Sequence, residues 1–281
     1  MKLIRFGPSG NEKPGIVLSD GSVKDCSGWY EDWNGAFLSD GIEKLRVRES
    51  EWDSLPDVAE DVRIGPPIAR PWKVICVGLN YIDHARESGL EPPAEPVLFT
   101  KTSNTVVGPN DDVLIPPGSE KTDWEVELGI VIGRTARRLS SPSDAAGYIA
   151  GYCVSHDVSE REYQIERGGQ WVKGKSCDTF NPLGPWLVTP DELGDVRNLD
   201  LWLDVNGERM QTGNTSNMIF DVNFIVHYIS RFITLEPGDL INTGTPPGVG
   251  LGRGRFLRPG DTVELGVQGL GVQRQQFKET V

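Results

Sequence analysis

The stretch TDWEVELGIVIG, Thr122 to Gly133, sets two glutamates in a run that otherwise reads largely as a buried strand. Side chains alternate between the faces of a strand, so Trp124, Val126, Leu128, Ile130 and Ile132 share one face. Glu125, Glu127, Gly129, Val131 and Gly133 share the other, which turns small and apolar after the glutamates and is therefore not a water face. Two adjacent carboxylates in such a place repel each other and lose hydration unless a cation lies between them. Strand rise separates the pair by about 6.6 to 7 Å at Cα, so both can converge on one ion. All-oxygen ligands favour Mg²⁺, Mn²⁺ or Ca²⁺ over zinc. The competing expectation for such a pair is a half-exposed edge strand with solvated glutamates.

The chain of 281 residues is long enough for one large domain, or for one with a small appendage. Its formal charge of -13 and pI near 4.8 argue against a nucleic-acid partner. They do not exclude an anionic small substrate, because a divalent ion and a few local cations reverse the field inside one cleft. Cys26, Cys76, Cys153 and Cys177 form no CxxC pair and read as reduced thiols. No signal-peptide core or membrane-length apolar run is present, so a cytoplasmic location and no membrane partner are expected.

The chain's 33 glycines and 20 prolines, between short β-branched runs, indicate a mainly β protein of the α+β class with short helices. Residues 1–66 read as a small strand-containing module, with a hairpin around Asp20-Gly21 and a helix near Ile42 to Trp52. The stiff segment Ile64 to Trp72 suits a linker, and residues 67–281 follow as the main domain. There, strands are expected around Val97 to Thr100, Asp112 to Ile115 and Glu125 to Ile132. An amphipathic helix is expected to carry Phe224, Ile225, Tyr228, Ile229 and Phe232.

Four further stretches bear on chemistry. In VSHDVSEREYQ, Asp157 is a candidate third carboxylate, with Arg161 and Gln164 four and seven residues later on one side of a helix. Lys175, in the loop KGKS, has an ammonium that can meet an anion near the metal. In NYIDHARESG, His84 and Glu87 are spaced i, i+3 on a short helix, a pair suited to taking a proton from water. His227 reads as structural, and His156 should point away from Asp157. The glycines of NTGTPPGVG allow close backbone approach, but no lysine follows as a phosphate loop requires.

Taken in order, GLNYIDHARE, DWEVELGIVIG, DVSEREYQ, KGKS and TGTPPGVG resemble the fumarylacetoacetate hydrolase family over roughly Trp72 to Val267. The resemblance implies a β-roll or sandwich with flanking helices, assembled as a homodimer. It also implies Mg²⁺ or Mn²⁺ on Glu125, Glu127 and Asp157, water activation by His84 with Glu87, and Lys175 on the developing negative charge. Tyr81, Arg161, Gln164 and Thr245 are then expected to contact substrate. The founding hydrolase has a further acidic ligand ahead of its histidine motif, whereas KVICVGLNY has none, so the chain looks like the three-carboxylate bacterial branch. Within it, ERGGQWVKGKSCDTFNPLGPW looks like the 2,4-diketo-3-deoxy-sugar-acid hydrolases, of the 2,4-didehydro-3-deoxy-L-rhamnonate hydrolase type.

The activity this implies is hydrolytic cleavage of a 2,4-diketo acid, such as 2,4-diketo-3-deoxy-L-rhamnonate or -fuconate, to pyruvate and a second acid such as lactate. The segment Asp83 to Pro93 is a candidate lid. Alternatives are oxaloacetate decarboxylation or keto-acid tautomerisation at the same metal site, a ureidoglycolate lyase-like reaction, and a non-catalytic metal or sugar-acid binding module.

Overall fold

The computed structural model describes residues 1–87, 89 and 91–280; Ser88 and Leu90, within the candidate lid, lie outside the described residues. At its centre is the strand Val126–Ile132, every residue of which is buried. It lies between Ile149–His156 and Leu240–Asn242, which excludes an edge strand with solvated glutamates. On one side the sheet continues through Leu187–Val188 to Lys2–Phe6, Lys13–Val17 and Val23–Asp25. On the other it continues through Val74–Gly78 to Val97–Lys101. Pairing along this path is antiparallel except between Leu240–Asn242 and Val74–Gly78.

A second sheet, in the order Glu208–Asn214, Asp200–Val205, Thr262–Val267, Gly271–Glu279 and Val113–Ile115, covers one face of the first. The expected apolar face of the acidic strand points into this sandwich, where Val126, Leu128 and Ile130 pack with Leu203, Val263 and Phe277. The opposite face packs differently along its length. Val131 joins a core with Leu3, Trp33, Leu38 and Leu187, under the helix Gly35–Val47. The fold is thus α+β and strand-dominated, with two large sheets, two small two-stranded ones and short helices among the described residues.

Residues 1–66 add strands to the sheet that holds the acidic strand and share a core with it. The hairpin around Asp20-Gly21 is present, with Val17 opposite Val23. Three expectations need correction. The first helix begins at Gly35, seven residues before Ile42, because Asn34 caps it by accepting from Phe37 N–H at 3.1 Å; the stretch Glu49–Ser54 is a separate 3₁₀ turn. The supposed linker begins as a strand, Ile64–Gly65, paired with Lys2–Phe6. The helix Val222–Ser230 buries Ile225, Val226 and Ile229, but it ends before Phe232, which is 63% exposed.

Among the described residues no helix is long and apolar enough to cross a membrane, and all four cysteines are free thiols.

Trp33 joins the N-terminal strands to this core: it is fully buried, and its Nε1–H donates to Ile4 O at 2.8 Å and Gly15 O at 3.1 Å. Trp33→Ala should cost about 3–5 kcal/mol. Unfolding should remain one transition when followed by far-UV circular dichroism and by tryptophan fluorescence, since both segments share a sheet. Two separated transitions would show that residues 1–66 fold alone.

Candidate active site

The carboxylates are brought together by strand register. Val126 pairs with His156, so Glu125 stands opposite Asp157, whose N–H donates to Glu125 O at 3.0 Å. Opposed residues of an antiparallel pair are side-chain neighbours, and Glu127 follows two residues along on the same face. One oxygen from each of Glu125, Glu127 and Asp157 lies within 4.8 Å of the others, and all three residues are buried. Next along this face, Ser155, Asn181 and Asn242 close a buried ring of three hydrogen bonds, each 2.8 Å long. His156 points to the opposite face, as expected, with Nδ1 3.0 Å from Gln275 Oε1. Burial lowers its pKa to about 4 and keeps it neutral.

Three buried cations meet these acids. Lys175 Nζ donates to Glu125 Oε2 at 2.7 Å and to Asp157 Oδ2 at 2.9 Å. Its short helix, Val172–Lys175, seats closely because residue 174 is glycine: a Cβ there would lie 2.3 Å from Glu160 O. Arg161 donates to Glu125 Oε1 at 2.6 Å, to Asp123 Oδ2 at 2.7 Å and to Gln164 Oε1 at 3.0 Å. Lys101 Nζ donates to Asp157 Oδ1 at 2.5 Å and to Val158 O at 3.0 Å.

Asp157, Arg161 and Gln164 do not share one helix. A two-residue strand, Ser159–Glu160, pairs with Thr122–Asp123, and a π-helical turn, Glu162–Glu166, follows. Such turns recur where side chains must be re-aimed at a site. Asp123 and Lys101 escaped the sequence reading. Asp123 sits within the opening stretch, but its role shows only in partners far along the chain, and Lys101 ends an ordinary apolar strand.

Asp123, Glu125, Glu127 and Asp157 thus face Lys101, Arg161 and Lys175, leaving one negative charge in excess. For Glu125, burial opposes ionisation, but Lys175 and Arg161 outweigh it and lower its pKa to about 2. Glu127 is the contrasting case. Burial, then the charges of Asp157 and Glu125, push its pKa well above the ordinary value. It accepts one hydrogen bond, from Gly244 N–H at 2.8 Å, and among the described residues has no ion-pair partner. A buried, underpaired carboxylate within a compact all-oxygen set fits a hard divalent cation such as Mg²⁺ or Mn²⁺. Burial also disfavours the Lys175 ammonium, but Asp157 and Glu125 reverse this and raise its pKa, so it keeps its proton.

The histidine pair approaches the same space from another element. Val74–Gly78 runs into the helix Ile82–Glu87 through Leu79, held at φ 51. Buried Asn80 fixes that turn: its amide donates to Phe220 O at 3.0 Å and Thr243 O at 2.8 Å, and its oxygen accepts from Phe220 N–H at 2.9 Å. On the helix, His84 Nδ1 is 3.3 Å from Glu87 Oε2. Gly248 N–H donates to both Glu87 oxygens, at 3.1 and 3.0 Å, and so anchors the pair.

A cavity of about 440 Å³ brings these parts together; His84, Glu87, Glu125, Glu127 and Lys175 all line it. Arg161, Gln164 and Thr245 also reach its wall. The Thr245 hydroxyl donates to Val126 O and accepts from Gln211 Nε2, each at 2.8 Å, so protein groups already engage it. Asp157 is fully buried, bonded to both Lys101 and Lys175, and is not among the wall residues. Tyr81, expected at the substrate, is fully buried in the main core, is bridged to Met218 and is not among the cavity wall residues.

The shift at Glu127 sets a pH dependence. Its folded pKa lies above its ordinary 4.5, so its contribution to metal-free stability is fully present below pH 4.5 and is lost as pH rises through the folded value. A divalent ion displaces the proton, so the Mn²⁺-induced rise in Tm should grow as pH is raised from 5 towards 8. Glu127→Gln should abolish that rise without lowering the metal-free Tm at pH 8. Asp157→Asn, which strands the buried Lys101 ammonium and leaves Lys175 with Glu125 alone, should destabilise the metal-free protein by about 3–5 kcal/mol. Equal destabilisation by both variants would contradict the unpaired state of Glu127.

Comparison with known proteins bears on the family and the fold. A family model described as fumarylacetoacetate (FAA) hydrolase C-terminal matches residues 73–278. A Burkholderia ambifaria protein, a hydrolase by name only, is 54% identical over 281 residues, covering 99% of each chain. The fumarylacetoacetate hydrolase of Exiguobacterium antarcticum superposes with a TM-score of 0.85 at 36% identity, covering 100% of both chains. Maleylpyruvate hydrolase from Sphingobium sp. SYK-6, in complex with manganese (II) and pyruvate, does so with a TM-score of 0.84 at 26% identity, again over 100% of both chains. With the family model spanning most of its length and its fold shared end to end, the chain belongs to the fumarylacetoacetate hydrolase family.

Proposed function

We propose that this protein hydrolyses the C3–C4 bond of a 2,4-diketo acid, of the 2,4-diketo-3-deoxy-L-rhamnonate or -fuconate type, to pyruvate and a second acid. The observation that carries this reading is the His84–Glu87 pair on the same cavity as Glu125 and Glu127, with Asp157 buried behind them in the same carboxylate set. The manganese and pyruvate held by the Sphingobium maleylpyruvate hydrolase support it. Glu125, Glu127 and Asp157 would hold Mg²⁺ or Mn²⁺, which when bound supplies Lewis-acid stabilisation of negative charge developing on the keto-acid oxygens.

The chain's own groups supply the rest. A carboxylate only accepts, so His84 Nδ1–H donates to Glu87 and Nε2 keeps its lone pair. Nε2 takes a proton from water as the water oxygen bonds to C4. The C3–C4 bond then breaks, its electron pair passing to the pyruvate half as an enolate while C4 leaves as a carboxylic acid. Lys175, which keeps its proton, donates hydrogen bonds to the developing oxyanion. His84 returns its proton to C3, so one water is consumed and the histidine is regenerated.

Decarboxylation of oxaloacetate needs the same charge stabilisation but no activated water. His84→Ala should therefore lower Mn²⁺-dependent pyruvate release from a 2,4-diketo-3-deoxy acid by roughly 10²–10⁴-fold. The second acid should appear in equal amount to pyruvate, and any oxaloacetate decarboxylation should change little. Full hydrolytic activity in His84→Ala would remove the water-activating role, and pyruvate from oxaloacetate alone would replace this reading by a decarboxylase.

A further inference from the structure

Beside its charged groups the cavity is lined by apolar side chains. Phe99 and Trp171 meet edge to face with ring centres 5.1 Å apart, and the Lys175 ammonium lies 5.0 Å from the Phe99 ring centre. Gly78 makes room for this wall: a Cβ there would lie 2.9 Å from Trp171 Cζ3. Val249 and Leu251 also line the cavity, Leu251 next to Gly252, where a Cβ would lie 3.6 Å from Glu87, and Ile165 follows Gln164. Ile165 and Leu251 remain 49% and 46% exposed, so folding alone leaves apolar surface wet at the cavity.

Among the described residues lining the cavity, the only Lys and Arg side chains are Lys175 and Arg161. Both are committed, Arg161 to Asp123 and Glu125, and Lys175 to Glu125 and Asp157 without metal and to the keto-acid oxyanion in the reading above. A carboxylate at the far end of a substrate would lose hydration against these walls and find no free cation there. An apolar tail would cover them and displace their water.

Resting on the hydrolytic reading above, we propose that Phe99, Ile165, Trp171 and Leu251 form an acyl-tail subsite that selects uncharged, apolar tails over tails ending in a second carboxylate. The short, uncharged hydroxyethyl tail of the deoxyrhamnonate-type acid falls on the accepted side.

The test compares 4-methylpentanoylpyruvate with succinylpyruvate, whose diketo heads are identical and whose tails differ chiefly in ending as isopropyl or carboxylate. Each buried methylene is worth roughly fourfold, and an unpaired buried carboxylate costs more. With Mn²⁺ present, the wild-type kcat/KM should favour the 4-methylpentanoyl compound by at least ~30-fold on this basis. Ile165→Arg and Leu251→Arg place a guanidinium on the wall at half-exposed positions. Each should keep the wild-type Tm, raise kcat/KM for succinylpyruvate by about 10-fold and lower it for the apolar compound.

Equal or better turnover of succinylpyruvate by the wild type overturns the subsite and leaves the hydrolytic reading standing. So does an unchanged substrate ratio in both arginine variants. Turnover of neither compound by the folded, Mn²⁺-loaded protein overturns the hydrolytic reading and the subsite with it.

Discussion

The register between Val126–Ile132 and Ile149–His156 is the constraint on which the rest of the structure depends. Pairing Val126 with His156 sets Glu125 against Asp157 and leaves the apolar alternate residues facing the second sheet. A slip of one residue would exchange the two sets, driving carboxylates into the sandwich core and apolar groups among the lysines. The correct register is held from both sides. Leu128, Val154 and Ile130 pack in the core, while the Ser155–Asn181–Asn242 ring satisfies the polar groups on the reverse face. The acidic cluster is therefore placed by the same pairing that builds the central sheet.

That placement leaves a charge imbalance, and the loop after Leu240–Asn242 manages part of it. Its backbone N–H groups reach three separate acids: Gly244 donates to Glu127, Gly248 to Glu87 and Gly250 to Asp123. The glycine-rich run thus binds carboxylates of the protein itself. One loop positions a candidate metal ligand, the partner of the histidine, and the anchor of Arg161. A change in its path would move both the acid set and the histidine pair, so the two halves of the proposed chemistry are mechanically tied.

The parts of this site that were legible in the sequence are those set by local periodicity. Alternation exposed the shared face of Glu125 and Glu127, and their apolar neighbours argued for burial. The i, i+3 spacing of His84 and Glu87 gave their contact directly. What stayed hidden depends on partners distant in sequence. Lys101 meets Asp157 across 56 positions, and Asp123 meets Gly250 across 127. Neither distance leaves a local pattern. Asn80 likewise looks like an ordinary loop residue until Thr243 and Phe220 arrive beside it. The full burial of Tyr81, bridged to Met218, also has no local sign. The N-terminal stretch was readable as strands, yet nothing local announced that Lys2–Phe6 pairs with Leu187–Val188 and so extends the central sheet.

The most direct test of the central claim, that the buried acids form a divalent centre beside His84 and Lys175, is anomalous diffraction from crystals soaked in Mn²⁺ and oxalate, a planar mimic of the pyruvate enolate. One manganese peak should appear, bonded to an oxygen from each of Glu125, Glu127 and Asp157, with oxalate completing the coordination and Lys175 Nζ within hydrogen-bonding distance of it. Manganese bound elsewhere, or Lys175 still bridging Glu125 and Asp157 with no ion between them at saturating Mn²⁺, would contradict it.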